Sequence, residues 1–389
     1  MSRYSERIGA IIPSATLGVT SKAKAMKQKG EDVAVLAAGE PDFDTPEIIK
    51  EAAIRAIREG KTKYTPSSGT VTLKEAICSK FLRDNSIKYV PENIVVSNGA
   101  KHSLYNALQV VCNPGDEILI VQPYWLSYPE MAKLAGAVPK IIKPGPNSGF
   151  RASAEDVKKN ITDRTKVLII NSPSNPAGVV YDEAELRAIA EVCLKKGIIM
   201  LSDEIYEKIV FDGRKHFSVA SISDEAKAMT IVVNGVSKSY SMTGWRIGYL
   251  ACEPKLAKMM ATLQDHSTSN PCSISQFAAE CALTADLDGE MAKNLGIFQK
   301  RRDSLLEFLA GEPKLKPFSP GGAFYLFCDI SSCGLDSMEF AERLLEEKKV
   351  AVIPGGPFGE DGYIRISFAT DLGTIEKGVG RVKEFVNSL

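Results

Sequence analysis

The sequence predicts an α/β fold, in which a large domain built on a mostly parallel sheet is joined to a smaller α+β domain. Three observations lead to this prediction. The 389 residues are too many for one hydrophobic core and suit about two domains. Short apolar runs rich in β-branched residues alternate with longer helical stretches through the middle of the chain. This alternation gives way to a different pattern after residues 299–313.

Five buried strands are predicted in the middle of the chain. They are NIVVSN (93–98), EILIVQP (117–123), KVLIINSP (166–173), IIMLSDE (198–204) and MTIVVNG (229–235). Helical segments lie between them, for example at 99–111 and at 182–197, the latter starting with Asp182 and ending on Gly197. Such alternation is typical of a parallel sheet covered on both faces. We expect the large domain to span residues 45–280.

The C-terminal part predicts the smaller domain. Residues 323–330 and 363–369 have the composition of strands, and residues 338–349 and 372–389 that of helices. The last helix carries an apolar stripe at helical spacing, formed by Leu372, Ile375, Val379, Val382 and Val386. Residues 1–44 are too few for a domain of their own, so we group them with residues 281–389.

Composition excludes several classes of protein. The chain has 48 basic and 48 acidic residues, so no global charge attracts nucleic acid or an anionic membrane. No secretory signal is visible, and no run approaches the roughly 18 apolar residues of a spanning helix. We therefore expect a soluble, cytoplasmic protein. The 8 cysteines and 3 histidines are scattered, which favours reduced thiols and predicts no metal site.

Polar segments follow four of the predicted strands, where open α/β sheets bind their ligands. In SNGAK (97–101), Gly99 and Ala100 open a helix whose N-terminus could hold an anion, although for this segment alone a plain strand-helix turn is the favoured interpretation. NSPSNPAG (171–178) by itself predicts only a turn. In SDEIYE (202–207), Asp203 is either a helix cap or a buried carboxylate that needs a partner.

The most specific segment is NGVSKSYSMTGWRIGYL (234–250). Lys238 leaves an apolar strand eight residues before Arg246, and Gly244 and Gly248 flank that arginine. Most lysines are solvated surface charges. A lysine at the ligand-binding end of a sheet, among small residues and near an arginine, is instead a candidate catalytic amine.

Together these segments resemble the class I aminotransferases of the pyridoxal-phosphate-dependent aspartate aminotransferase family. The resemblance spans nearly the whole chain, and the order and spacing of its motifs make it specific. They are GEPDFDTP (39–46), KYTP (63–66), PYW (123–125), NSPSNP (171–176), SDEIYE (202–207), SKSYSMTGWRIGY (237–249) and IRISFA (364–369). The prokaryotic branch, whose members act on aspartate and some also on prephenate, is the most similar. The resemblance implies a seven-stranded sheet and a homodimer with shared active sites.

The resemblance also assigns roles in binding pyridoxal 5′-phosphate. Lys238 would form the Schiff base and then act as the proton-transferring base. Asp203 would pair with the pyridine nitrogen, and Asn175 and Tyr206 would hydrogen-bond the phenolic oxygen of the ring. Trp125 would stack on the ring. The expected phosphate contacts are Gly99, Ala100, Lys101, Ser237, Arg246 and, from the neighbouring subunit, Tyr64.

Substrate recognition follows in the same way. Arg365 would clamp the α-carboxylate, with Gly39, Trp125 and Asn175 nearby. Lys101, Ser14 and Thr16 would recognise the distal carboxylate of aspartate, unless Lys101 only supports the phosphate or the helix. Relatives that accept prephenate are expected to carry a lysine where this chain has Ile12. This departure favours aspartate and 2-oxoglutarate as the substrate pair.

Three alternatives stay open at the level of sequence. The same fold and cofactor serve lyases and aminotransferases for aromatic amino acids, prephenate or alanine. A regulator that only senses the cofactor would carry a DNA-binding module before the first motif, and GEPDFDTP already starts at residue 39. A nicotinamide dehydrogenase is disfavoured because no G-x-G-x-x-G follows a strand.

Overall fold

The computed structural model describes residues 4–145 and 147–389. Its N-terminal part precedes the main sheet and is mostly helical. In chain order its elements are α1 (Glu6–Gly9), α2 (Ala15–Gln28), β1 (Ala34–Val35), α3 (Glu47–Arg58) and α4 (Val71–Asn85). Helices α2 and α4 begin where the hydroxyls of Ser14 and Thr70 accept a hydrogen bond from the backbone N–H three residues later. These hydroxyls satisfy a helix-terminal donor that would otherwise lack a partner.

The main sheet and its helices follow. They are β2 (Ile94–Ser97), α5 (Ala100–Val111), β3 (Glu117–Val121), α6 (Ser127–Leu134), β4 (Val138–Ile142), α7 (Ala154–Asn160), β5 (Thr165–Asn171), α8 (Glu183–Lys196), β6 (Ile199–Asp203), α9 (Asp224–Ala228), β7 (Thr230–Gly235), β8 (Gly248–Ala251) and α10 (Pro254–Asp265). The strand order is β2-β8-β7-β6-β5-β3-β4. Strand β8 is antiparallel to β2 and β7, and the other neighbouring pairs are parallel. The predicted seven-stranded, mostly parallel sheet is therefore confirmed.

Both faces of the main sheet are buried, as expected for parallel strands. In β5, Val167 and Ile169 pack in one hydrophobic core with α5 and α10, whereas Leu168 and Ile170 pack in another with α7 and α8. Alternate side chains of one strand thus contribute to two cores. Because both faces of the sheet are buried among apolar side chains, polar functional groups are expected at the carboxyl ends of its strands.

The C-terminal part forms a second sheet against helices. Its elements are α11 (Ser273–Thr284), α12 (Asp288–Leu309), β9 (Lys316–Phe318), β10 (Tyr325–Asp329), α13 (Ser337–Lys348), β11 (Val350–Ala351), β12 (Ile353–Pro354), β13 (Tyr363–Ser367) and α14 (Leu372–Ser388). Four strands pair antiparallel in the order β12-β13-β10-β9. Strand β1 pairs in parallel with β11, so residues 34 and 35 lie beside residues 350 and 351.

No helix in the described ranges is both long enough and apolar enough to span a bilayer.

Candidate active site

The predicted site residues converge because β5, β6 and β7 are adjacent and parallel. Asn171 at the end of β5 is in register with Asp203 at the end of β6, and Asp203 is in register with Val233 in β7. The segments after these strands therefore leave the sheet side by side. They carry Asn175, Tyr206 and Lys238.

The Lys238 amine lies in the centre of this group. Its Nζ donates a hydrogen bond to the carbonyl oxygen of Gly39 over 2.6 Å and lies 5.9 Å from the centroid of the Tyr206 ring. Burial lowers the pKa of Lys238 to about 8, and the nearby cations Arg365 and Arg246 act in the same direction, against Glu40. A much larger fraction of this amine is therefore neutral near pH 8 than of a surface lysine, as nucleophilic chemistry requires.

Asp203 is a buried carboxylate with 4% of its surface exposed. The Tyr128 hydroxyl donates to its Oδ2 over 2.7 Å, and the backbone N–H of Ile205 donates to its Oδ1 over 3.3 Å. Both donors are neutral. Burial raises the pKa of Asp203 to about 6, against the hydrogen bond from Tyr128, which lowers it. The site thus holds a carboxylate that a cationic ligand atom would stabilise.

Arg365 is a buried cation with 2% of its surface exposed. Its Nη1 donates to Oδ1 of Asn175 over 2.9 Å and its Nη2 to the carbonyl oxygen of Ala37 over 3.2 Å. Its Nε is buried and has no hydrogen-bond partner among residues 4–145 and 147–389. Its partners are uncharged oxygens, so this guanidinium retains the capacity to bind an anion.

A second anion-binding feature lies at the N-terminus of α5. Gly99 has φ +86° and precedes the first helical residue, and a Cβ at this position would overlap the guanidinium of Arg246. A Cβ on Gly248 would overlap the backbone N of Ala100. The two glycines therefore allow the arginine and the helix N-terminus to approach each other. Arg246 is exposed and donates to the carbonyl oxygen of Thr243 over 2.8 Å.

Trp125 links the two halves of the site. Its ring packs edge-on against Tyr128, with centroids 5.3 Å apart, and Tyr128 in turn binds Asp203. The Nζ of Lys101 lies 4.8 Å from the centroid of the Trp125 ring. Lys101, near the start of α5, is thus held beside the aromatic ring as well as near Arg246, whose charge adds to burial in lowering the pKa of Lys101.

Four predicted residues are not joined to this group by a hydrogen bond or ring contact in the described part of the chain. Ser14 caps α2. The Thr16 hydroxyl is buried and lacks a partner within the described ranges. Ser237 is buried next to Lys238. Tyr64 projects outward with 91% of its surface exposed.

Several residues around the site were missed at the level of sequence. Tyr128 binds Asp203, and the Tyr325 hydroxyl lies 2.9 Å from that of Tyr206. Thr45 donates to the carbonyl oxygen of Ser241, which fixes the 39–46 loop against the loop that carries Lys238. The signal for Tyr128 was available, since it lies three residues after Trp125 at the start of a helix. Tyr325 lies inside a predicted strand and gave no such signal.

The loop of residues 39–46, which precedes α3, is also held by a residue of α12. Arg301 of α12 forms a two-pronged ion pair with Asp42, with both N–O distances 2.7 Å. Its guanidinium carbon lies 5.2 Å from the centroid of the Phe43 ring. This pair fixes the loop whose Gly39 carbonyl accepts from Lys238.

Comparison with known proteins agrees with this geometry. Residues 31–382 match the family model described as aminotransferase class I and II. An aspartate aminotransferase from Bacillus sp. (strain YM-2) is 50% identical, with 98% of each chain covered. A probable aspartate/prephenate aminotransferase from Aquifex aeolicus is 46% identical, again with 98% of each covered. The solved structure of the Thermus thermophilus aspartate aminotransferase with maleate superposes with a TM-score of 0.95 at 42% identity, covering 100% of both chains. The chain belongs to the class I and II aminotransferases.

Proposed function

We propose that this aminotransferase carries pyridoxal 5′-phosphate on Lys238 and moves the amino group of aspartate to 2-oxoglutarate. The observation that carries the proposal is that a buried acidic group and an amine of lowered pKa lie at the same edge of the sheet. A buried carboxylate with only neutral donors, Asp203, shares this edge with an amine of lowered pKa, Lys238. A group with a cationic ring nitrogen and an amine-reactive aldehyde satisfies both.

The surrounding residues fit the rest of the cofactor. Asp203 would bind the pyridine nitrogen, and Tyr206 with the Nδ2 amide of Asn175 would donate to the phenolic oxygen. The Trp125 ring would stack on the pyridine ring. The phosphate would bind where α5 begins, held by the residues Gly99, Ala100, Lys101, Ser237, Arg246 and, from a second copy of the chain, Tyr64. When bound, the cofactor supplies an electron sink that lets the α-proton of an amino acid leave.

Lys238 would then act as the base. Its amine would accept the proton that leaves the substrate α-carbon and hold it for transfer to the cofactor. Burial lowers the pKa of this amine to about 8, which is close to the value that suits a base working near neutral pH.

Arg365 would bind the substrate α-carboxylate. Within the described residues, the Nε of its buried guanidinium has no hydrogen-bond partner, and its planar fork matches a carboxylate in a two-pronged pair. Asn175 orients this arginine by accepting from its Nη1, and the Gly39 backbone lies at the entrance beside Lys238. Substrate binding would therefore connect the residues after β5 with β13.

The preference for a dicarboxylic substrate is the finer part of the proposal. The cation of Lys101 and the hydroxyls of Ser14 and Thr16 are assigned to the distal carboxylate, and the unpartnered Thr16 hydroxyl supports this assignment. The Thermus thermophilus relative was solved with maleate, a dicarboxylate. Ile12 replaces the lysine expected for prephenate, and its side chain is 67% exposed. We therefore propose aspartate rather than prephenate as the substrate.

The organisation of the chain is proposed to match this chemistry. Residues 45–280 would form the cofactor-binding domain, and residues 1–44 with 281–389 the smaller domain. Two copies would form a homodimer with shared active sites, working in the cytoplasm on small-molecule amino and 2-oxo acids. The 8 cysteines are all free thiols, which suits a reducing compartment.

A panel of half-reactions tests the proposed function. Purified enzyme loaded with pyridoxal 5′-phosphate is mixed with single amino acids, and the cofactor spectrum and released product are followed together. We expect aspartate and glutamate to convert the cofactor to its amine form, with one equivalent of oxaloacetate or 2-oxoglutarate released. Release of pyruvate or ammonia from aspartate would instead identify a lyase.

Two variants separate the substrate contacts. Arg365→Ala removes the α-carboxylate site and should weaken all amino acids, by about 100-fold in kcat/KM. Lys101→Ala should weaken aspartate and glutamate selectively, and an equal loss with alanine would reassign Lys101 to the phosphate. Lys195→Ala, on the exposed face of α8, is the matched lysine control. It should leave kcat/KM unchanged both for aspartate and glutamate and for alanine.

A further inference from the structure

Tyr325 contacts two groups to which the proposed function gives different tasks. Its hydroxyl lies 2.9 Å from the hydroxyl of Tyr206, and its ring centroid lies 4.2 Å from the guanidinium carbon of Arg365. It is buried in β10, beside Phe324, whose ring centroid is 4.6 Å away. One side chain thus touches both the phenol assigned to the cofactor oxygen and the cation assigned to the substrate carboxylate.

The charges around the two phenols indicate which one donates. Burial raises the pKa of both, that of Tyr206 well above its ordinary value. The charge of Arg365 lowers the pKa of both phenols. It is the strongest charge effect on Tyr325, whereas on Tyr206 the neighbouring Tyr325 acts more strongly and in the opposite direction. Asp203 acts on Tyr206 and Glu40 on Tyr325, both raising the pKa, and the Lys238 amine lies 5.9 Å from the Tyr206 centroid. Because the guanidinium lies directly over its ring, Tyr325 is the stronger acid and the better donor.

We propose that Tyr325 is a positioning residue whose hydroxyl donates a hydrogen bond to the hydroxyl oxygen of Tyr206. This inference rests on the proposed function. A phenol has one proton, and Tyr206 needs that proton for the phenolic oxygen of the cofactor. If Tyr325 donates, Tyr206 keeps its own proton for the cofactor and becomes a stronger donor through the chain of hydrogen bonds. The Tyr325 ring meanwhile supports Arg365 by a cation–π contact.

The direction of this hydrogen bond sets the sign of a measurable effect. The visible absorbance of the cofactor-loaded enzyme titrates with pH, and a donor to the phenolic oxygen stabilises the deprotonated, more negative form. Tyr206 therefore lowers the pH midpoint of this absorbance, and Tyr325 lowers it further by strengthening Tyr206. Had Tyr206 donated to Tyr325 instead, removing Tyr325 would free Tyr206 and lower the midpoint.

The test is a double-mutant cycle read by absorbance. Tyr206→Phe should raise the midpoint by about 1.5 pH units, the loss of one hydrogen bond to a charged oxygen. Tyr325→Phe should raise it by about 0.3 units, the share expected from hydrogen-bond cooperativity. The double variant should match Tyr206→Phe alone, because Tyr325 acts through Tyr206. An unchanged or lowered midpoint in Tyr325→Phe, or additive shifts in the double variant, would overturn the proposal.

A second substitution distinguishes the hydroxyl from the ring. Tyr325→Phe keeps the aromatic face under Arg365 and should leave KM for aspartate within about twofold, whereas Tyr325→Leu should raise it by about fivefold. Equal KM values for the two variants would contradict the support of Arg365 by the ring. If wild-type protein mixed with pyridoxal 5′-phosphate retains no cofactor absorbance after the unbound cofactor has been removed, the proposed function fails. That result is distinct from every outcome for the Tyr325 variants.

Discussion

Asp203 illustrates how a residue proposed for the active site can lower the stability of the fold. Its carboxylate is buried where two neutral donors hold it, and burial raises its pKa to about 6. Between pH 4 and 6 the folded chain retains a proton on Asp203 that the unfolded chain has lost, so the free energy of unfolding falls as pH rises through this interval. Above pH 6 the full destabilisation is present in the cofactor-free protein.

Asp203→Asn should therefore act on stability and activity in opposite directions. The amide keeps an oxygen for Tyr128 but carries no charge, so the cofactor-free variant should be more stable at pH 7 by about 2 kcal/mol. Turnover of the loaded variant should fall by at least about 100-fold, because the ring nitrogen loses its counter-charge. Urea unfolding at pH 4.5 and 7 measures the first effect. A variant that is equally stabilised at both pH values would contradict the assignment to Asp203 ionisation.

At the scale of residues, the strand pattern alone pointed to groups at or just after strand ends. Arg365, inside β13, was named only through the family resemblance, and Tyr325, inside β10, was missed. Lys238, Asp203 and Asn175 stand directly after apolar runs, where polar residues signal the edge of a sheet. Tyr325 carries no such signal, since a tyrosine within a strand looks like an ordinary core residue. Its importance depends on Arg365, which is 40 residues away and becomes its neighbour only through the pairing of β10 with β13.

At the scale of elements, the strands with continuous apolar runs were the predictable ones. Strands β2, β3, β5, β6 and β7 were each predicted to within two residues at either end. Strand β4 was missed because Pro139 and Lys140 interrupt it and it is only partly buried. Strand β8 was missed because its four residues begin at Gly248, within a segment that was taken for the site loop. Its antiparallel pairing with β7 brings Arg246 back to the edge that carries Lys238.

Helix α4 and the segment after β6 are joined by a buried ion pair that sequence spacing did not predict. The Lys80 ammonium contacts the Glu207 carboxylate, and Asn85 bridges the two, accepting from Lys80 over 2.8 Å and donating to Glu207 over 3.0 Å. In the same region, one carboxylate oxygen each of Glu204 and Glu207 and one ring nitrogen of His216 lie within 4.8 Å of one another, a spacing that could suit a metal ion. Lys80 already supplies a cation there.

Lys80→Met should leave the Glu207 charge buried without its partner and lower the free energy of unfolding by about 3–5 kcal/mol. Adding Glu207→Gln to this variant should recover at least half of the loss, because the uncompensated charge is then gone. Lys195→Met is the control, since its pair with Glu191 is exposed and should contribute under about 1 kcal/mol. Urea unfolding of the cofactor-free proteins measures all three. Equal losses in the single and double variants would show that packing, rather than charge, dominates.

At the scale of the whole molecule, one exposed residue suggests that the site is completed by a second copy. Tyr64 is 91% exposed, although the KYTP segment that carries it lies within residues 31–382, which match the family model. Its neighbour Thr65 accepts a hydrogen bond from Gln276, which fixes this loop against α11. The family resemblance implies that Tyr64 contacts the cofactor phosphate in the neighbouring subunit, that is, in trans.

Mixing two defective variants tests the contribution of Tyr64 in trans. In a dimer of one Tyr64→Ala chain and one Lys238→Ala chain, one site would combine the intact Lys238 of the first with the intact Tyr64 of the second. Refolding an equal mixture should therefore restore up to about one quarter of wild-type activity, since half of the dimers are mixed and each has one intact site. Activity no higher than that of the separate variants would place Tyr64 in the site of its own chain or outside the site.

The central claim is that the cofactor is carried on Lys238 and that it leaves this lysine when it accepts the amino group of aspartate. Borohydride reduction followed by peptide mass mapping tests this most directly. Before substrate is added, the cofactor mass should be found on the peptide that contains Lys238. After excess aspartate without an acceptor, that label should disappear, because the cofactor has left the lysine in its amine form. Label on a different lysine, or label on Lys238 that persists after aspartate, would contradict the account.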